Sequence, residues 1–186
     1  MSKKKADGTE VVGGKTKIIS GSVTRPANTT AYAAGDQVSN STTAPVAITF
    51  AGVGQYDVQA EANASGVIVS AQLISDAYQA TPPQFDLYLF TGATAPTAQA
   101  DNAAWAITDA NTLNLLGKIK FVDWTILNPA ANASGNSAVF VENANLPFEC
   151  GAAVEDIYGL VVNRTVAAWT PLSGTVWTFV LSILQD

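Results

Sequence analysis

The apolar residues of this chain recur with a period of two, which predicts β-strands that each bury one face. The clearest run is residues 66–76, where Val67, Val69, Ala71 and Leu73 are predicted to share a face. Similar runs occupy residues 46–50, 84–91, 117–124, 138–143, 158–164 and 175–184. Because these runs are short and numerous, the pattern indicates an all-β protein.

The segments between these runs are rich in Gly, Pro, Asn, Ser and Thr, which favour turns and loops. Pro82 and Pro83 mark a connection, since proline cannot donate a ladder hydrogen bond. Only residues 100–116 have a composition that favours a helix, and their Thr and Asn content predicts no more than one or two short helical turns. The sequence therefore predicts a single antiparallel β-sandwich or jelly-roll-like domain over residues 21–186.

Two of the predicted strands have informative faces. In residues 84–91 the apolar Phe85, Leu87 and Leu89 alternate with Asp86, Tyr88 and Phe90. In residues 175–184 one face carries Trp177, Phe179, Leu181 and Ile183, and the other carries Val176, Val180 and Leu184. An apolar strand of this kind is either a central strand covered on both faces or one that meets a neighbouring subunit. On the second interpretation, Trp177 and Phe179 are the predicted oligomer contacts.

Charge is unevenly distributed along the chain. Of the 186 residues 13% are charged, about half of the ~25% usual in soluble domains, and the net charge is −6. Residues 1–17 carry a net +3 and the remainder −9. The cations of the first segment are Lys3, Lys4, Lys5, Lys15 and Lys17. We therefore predict a flexible basic arm over residues 1–20, which either keeps the chain soluble or docks on an acidic partner.

The chain has little of the chemistry that enzymes use. It has no histidine and a single cysteine, Cys150, which excludes Ser-His-Asp and Cys-His machinery, the usual zinc sites and an internal disulfide. Cys150 is predicted to pack as a small hydrophobic residue. Carboxylates such as Asp101, Asp109 and Asp123 have no motif that would pair them for hydrolysis, and a calcium site near Asp109 and Asn111 lacks the EF-hand pattern. We predict no catalytic residue, metal or cofactor, and no enzyme activity.

The sequence also restricts the partners. The five cations of the arm have no aromatic or arginine neighbours for base stacking, so nucleic-acid binding is not expected. No apolar h-region follows the first lysines, and no stretch approaches 18 apolar residues, so synthesis in a cytoplasm without membrane insertion is predicted.

Several blocks of the sequence, in order, resemble small bacteriophage virion proteins. The blocks are VTRPANTTAYAAGDQVSNS (23–41), SGVIVSAQLISD (65–76), FDLYLF (85–90), ADNAAWAITDANTLNLLGKIKF (100–121), LPFEC (146–150) and YGLVVNR (158–164). The resemblance covers about residues 20–186. Residues 1–17 lie outside it.

The resemblance implies a capsid decoration or cement protein, a β-sandwich that assembles as a homotrimer on the exterior of a phage head. The major capsid protein would be its partner. Independently of the resemblance, we hypothesise that the basic arm, Lys3 to Lys5 with Lys15 and Lys17, reaches an acidic groove on the shell. The alternative is a receptor- or glycan-binding module of a tail or head fibre that uses exposed Trp and Tyr with Asn side chains.

Overall fold

The computed structural model describes residues 15–51, 55–56, 59–60, 65–78, 81–127, 136–150 and 156–185. Within these ranges the chain is almost entirely β. The strands are β1 Lys15–Thr24, β2 Gln37–Val38, β3 Ile48–Phe50, β4 Gln55–Tyr56, β5 Gln59–Ala60, β6 Ser65–Ser75, β7 Phe85–Phe90, β8 Leu115–Phe121, β9 Trp124–Ile126, β10 Ser137–Val141, β11 Leu146–Glu149, β12 Ile157–Asn163 and β13 Val176–Gln185. The single helical turn, α1, spans Asp109–Thr112.

Two antiparallel sheets form the body of the protein. The first has the order β1-β13-β6-β10-β9, and β11 also pairs with β6. The second has the order β2-β12-β7-β8, and β3 also pairs with β12. A separate two-stranded ladder joins β4 and β5. The predicted all-β sandwich is therefore confirmed.

The core lies between the two sheets, because alternate residues of their strands point inward. On β7 the inward residues Phe85, Leu87 and Leu89 are fully buried, as the alternation predicted. They pack in one cluster with residues of the first sheet, including Leu73 and Phe179. At one side β1 comes so close to β3 that a Cβ on Gly21 would lie 2.9 Å from the carbonyl oxygen of Thr49. Glycine therefore permits the two sheets to meet there.

All seven predicted strand runs are strands, and residues 100–116 contain one short helical turn as expected. The predicted inward face of β6 is wrong in its first half. The pairing of β6 with β13 shifts register at Ser182/Ile183, where Ile68 and Ser70 face consecutive partners. This bulge reverses the alternation, so that Ile68 is fully buried while Val67 is only half-buried.

The predicted boundary of the arm at residue 20 is also wrong. Lys15 is already paired with Gln185, and the ladder between β1 and β13 continues without interruption to Thr24. The strand was missed because β1 is an edge strand with few apolar residues; only Ile19 and Val23 of its inward residues belong to the core. Residues 1–14 lie outside the described residues.

The outer face of the second sheet is covered by the chain itself. The segment that leaves β7 comes back beside β2, where the amide of Gln37 donates to Ala103 O at 2.8 Å. Because β12 lies between β2 and β7, this segment crosses the outer face of β12. Accordingly, Leu160 and Val162 are buried although they point away from the core. The outer face of the second sheet is thus partly shielded from solvent by the segment between β7 and β8.

Candidate interaction surfaces

The outer face of the first sheet carries no charged side chain on β1, β13, β6 or β10, as far as these strands are described. We call this surface the uncharged face. Its residues alternate with core residues such as Ile19, Leu181, Leu73 and Val139. It consists of Thr16, Ile18, Ser20, Ser22, Thr24, Val176, Thr178, Val180, Ser182, Leu184, Val67, Val69, Ser70, Gln72, Ile74 and Phe140. In a chain of net charge −6, a charge-free surface of this extent is unusual.

Large apolar side chains are exposed on this face. Ile18 is 69% exposed, Phe140 56% and Leu184 39%. The register places Val180 opposite Gln72, and Gln72 opposite Phe140, so one cross-strand row runs from β13 to β10. Three strands of ten or eleven residues and the five-residue β10, about 4.8 Å apart, give a surface on the order of 550 Å². A typical stable protein interface removes about 800 Å² from each partner, so this face is of the right order for one.

The prediction that Trp177 and Phe179 form subunit contacts is wrong for this fold. Both side chains are fully buried between the sheets. Trp177 packs edge-on against Phe85 at 5.4 Å, and Phe179 packs against Phe121 at 5.5 Å. The central position of β13 is confirmed, since it pairs with both β1 and β6. Its outer face is not fully covered by the described residues, because Val180 is half-buried and Leu184 exposed. The residues of β13 that are open to a neighbour are those that alternate with the buried ones, such as Val180 and Leu184.

Of the five lysines predicted to bind a shell, two lie in described residues. Lys15 and Lys17 are on the edge strand β1, at the end where it pairs with Gln185 and Ile183. Lys15 is exposed and Lys17 is half-buried. Lys3, Lys4 and Lys5 lie outside the described residues. The two described lysines of the basic arm therefore lie at the start of β1, beside the uncharged face.

The outer face of the second sheet carries a group that we call the basic cluster, made of Asp86, Lys118, Lys120 and Arg164. Lys118 Nζ lies 2.7 Å and Arg164 Nε 3.0 Å from the same oxygen, Asp86 Oδ2. Lys120 is opposite Asp86 in the ladder between β7 and β8. The hydrogen bond to Asp86 raises the pKa of Lys118. The cluster holds three cations and one carboxylate.

An aromatic pair adjoins the basic cluster. Tyr88 and Trp105 stack with ring centroids 4.8 Å apart, and Lys118 Nζ lies 5.6 Å from the Tyr88 centroid. Arg164 Nη2 donates to Tyr88 Oη at 2.8 Å. Both rings are half-buried, and about two-fifths of the Lys118 and Arg164 side chains is exposed (39% and 37%). In the sequence these cations contribute only to the net charge, although the alternation of residues 84–91 already places Asp86 and Tyr88 on one face.

A second polar group is buried beside the core and holds the loops at one end of the sandwich. The guanidinium of Arg25 donates to Tyr32 Oη at 3.2 Å, and Tyr32 Oη donates to Asp101 Oδ1 at 2.5 Å. The amide of Ser39 also donates to Asp101 Oδ1. Asp101 is therefore occupied in fixing loops, and the structure brings no second carboxylate to it among the interactions described.

The remaining candidates for chemistry have structural surroundings. Cys150 is 1% exposed, and burial raises the pKa of its thiol, as expected for a packed hydrophobic residue. Asp109 opens α1, where Thr108 Oγ1 caps the helix by accepting from the Asn111 amide. Within the described ranges, no three His, Cys, Asp or Glu residues are placed to hold a metal ion. No helix found there is long and apolar enough to span a membrane.

Comparison of the chain with protein-family models and with curated proteins finds no match.

Proposed function

We propose that this protein is a bacteriophage capsid decoration protein that binds the outside of the head shell and stabilises it by bridging capsomers. The observation that carries the proposal is the uncharged face, because an assembly component acts through a large surface that another protein covers. The assignment to a phage particle is based on the resemblance of residues 20–186 to phage virion proteins. The partners are the major capsid protein and further copies of this chain, arranged as a homotrimer on the virion exterior.

The uncharged face is the contact between copies. Each copy carries a net charge of −6, so most surfaces would place like charges opposite each other when two copies meet. On the uncharged face this repulsion is confined to one edge, where Glu149 of β11 lies beside Val67 and Leu184. Apolar residues such as Ile18 and Phe140 lose water on contact. The outer face of the second sheet is a poor alternative, because residues of the chain itself already cover part of it.

The basic arm is the contact with the shell. β1 begins with Lys15 and Lys17 at the rim of the uncharged face. The arm that precedes this strand can therefore extend beyond the contact between copies and reach the shell. Because the decoration protein binds the assembled shell and not free capsid subunits, its binding shifts the equilibrium towards the assembled shell. Many identical contacts add avidity without any new chemistry.

A lysine on the uncharged face should dissociate the oligomer. Val180→Lys or Phe140→Lys places a charge in the cross-strand row at the centre of the face, and burying it unpaired is costly. We expect the variant to elute as a monomer in size-exclusion chromatography with light scattering. The matched control is Val166→Lys, at a site 92% exposed on a loop, which should leave the mass unchanged. A wild-type monomer, or equal behaviour of all variants, would contradict this contact.

The shell contact is tested on virions. Replacing Lys3, Lys4, Lys5, Lys15 and Lys17 by glutamine keeps β1 intact and should weaken binding to undecorated capsids strongly at low salt. Co-sedimentation at increasing salt measures this, since a contact made by charges weakens as salt rises. Unchanged, salt-independent binding by the variant would exclude the arm. Cryo-electron microscopy of virions that shows none of this protein on the head would overturn the proposed function itself.

A further inference from the structure

We propose that the basic cluster and its aromatic pair form a binding site for an acidic polysaccharide, a polymer whose sugar rings carry carboxylates. The site lies on the outer face of the second sheet, on the side of the sandwich opposite the uncharged face. Because the proposed contact between copies uses the other face, this site stays accessible in an assembled oligomer. The inference does not depend on the capsid role.

The first argument is the distribution of charge. Beyond residue 17 the chain has four cations against thirteen acids. One cation, Arg25, is buried within its own hydrogen bonds. The three others are Lys118 and Lys120 on β8 and Arg164 directly after β12, and they lie on one face. All the accessible positive charge of the sandwich beyond β1 is thus in one place, within an otherwise acidic protein.

The second argument is the excess of cations over what the fold needs. Asp86 is buried, and one cation is enough to neutralise its carboxylate. Asp86 instead contacts two cations through one oxygen, with a third on the neighbouring strand, so the cluster keeps a net charge of +2. Lys118 Nζ has three donors and forms an ion pair with Asp86, and the Lys118 and Arg164 side chains each remain more than one-third exposed. These donors can bind an external carboxylate while Asp86 stays neutralised.

The third argument is the aromatic pair. Tyr88 and Trp105 are half-buried and stacked beside the cations, which fixes their rings in place. A sugar ring presents a flat C–H face to an aromatic ring and a carboxylate to Lys or Arg, so the two features together fit one uronic acid unit. A nucleic acid fits less well, because tight binding to a phosphate backbone uses more cations than this cluster has. An acidic peptide would use the cations but has no need of the rings.

The test uses the full-length protein and oligosaccharides of defined composition at 0.15 M salt, where the repulsion from distant acids is screened beyond about 8 Å. The probes are an oligogalacturonate and the matching neutral oligogalactose, and binding is measured by calorimetry and by NMR shifts of the tryptophan indole signals. We expect the oligogalacturonate to bind and to shift the Trp105 signal, and the neutral oligomer to bind at least about tenfold more weakly, the loss expected for one charge-assisted hydrogen bond.

Single variants test the assignment to the cluster. Lys118→Gln leaves Arg164 to neutralise Asp86, and Lys120→Gln removes an exposed cation, so both should fold. Each should weaken oligogalacturonate binding by about three- to tenfold. The control is the variant with Lys3, Lys4 and Lys5 replaced by glutamine, which removes more charge than either cluster variant, but elsewhere, and should bind as the wild type does.

The inference would be overturned by equal binding of neutral and acidic oligomers, by wild-type affinity in both cluster variants, or by binding lost only with the arm lysines. Equally tight binding of oligothymidylate or poly-glutamate would also overturn it, because the site would then accept any polyanion.

Discussion

Replacing Trp177 with alanine is expected to lower the free energy of unfolding by about 3–5 kcal/mol, one of the largest effects of any single substitution in this chain. Trp177 is fully buried and packs against Phe85 and, with centroids 5.8 Å apart, against Trp169. Removing the indole leaves a cavity between the two sheets that rigid strands cannot close. Urea unfolding followed by far-UV circular dichroism measures the change.

Two further variants make this prediction specific. Trp177→Phe should cost much less, about 1 kcal/mol, because it keeps most of the ring and removes a buried Nε1–H that has no hydrogen-bond partner. Val166→Ala, at a site 92% exposed, should change stability by less than about 0.5 kcal/mol. If Trp177→Ala left stability unchanged and only dissociated an oligomer, the tryptophan would be an interface residue after all.

Replacing Arg25 with methionine is expected to cost about 3 kcal/mol or more, although it substitutes an apolar residue for a charged one. The Arg25 guanidinium is 1% exposed and donates to Tyr32 Oη, to Asn28 Oδ1 and to the carbonyl oxygens of Asn28, Thr30 and Pro171. Methionine keeps the length of the side chain but leaves these acceptors unpaired, and each buried unsatisfied group costs about 1–3 kcal/mol.

Arg25→Lys is the informative comparison. Lysine retains the charge but cannot reproduce the planar fork, so it should recover only part of the stability. A lysine variant as stable as the wild type would show that charge alone matters at this site. A methionine variant as stable as the wild type would show that the network contributes nothing to folding.

The same network gives stability a dependence on high pH. Burial and the hydrogen bond to Asp101 raise the pKa of Tyr32 well above its ordinary value near 10. Above pH 10 the unfolded chain releases the phenolic proton while the folded chain keeps it, so folding becomes less favourable as pH rises. The contribution is complete below pH 10. Unfolding midpoints measured from pH 8 to 11 should therefore fall at the alkaline end, and less so in Tyr32→Phe.

The sequence predicted the β-class, the seven main strands and the inward faces of β7 and β13, because period-two alternation directly reports a half-buried strand. It failed where the pattern is broken or absent. The bulge near Val69 shifts the faces of β6 by one residue, and nothing local in residues 65–76 signals that shift. In β1, an edge strand, polar residues fill most positions, so its pairing with β13 leaves no apolar pattern to read.

The candidate surfaces were harder to foresee for a related reason. The uncharged face is formed by residues from four strands that are distant in sequence, and only the order β1-β13-β6-β10 brings them together. The basic cluster likewise depends on the pairing of β7 with β8 and β12. The aromatic residues of β13 misled the prediction of an interface, since size and apolarity fit a core equally well, and only the sheet order decides between the two.

The position of β13 has a consequence for biosynthesis. It separates β1 from β6, so neither strand has that neighbour until the ribosome has released residues 176–185. A nascent chain therefore exposes two long strand edges until residues 176–185 have emerged, and such edges are where polypeptides aggregate. Premature termination or proteolysis ahead of residue 176 would produce insoluble fragments rather than a smaller folded protein.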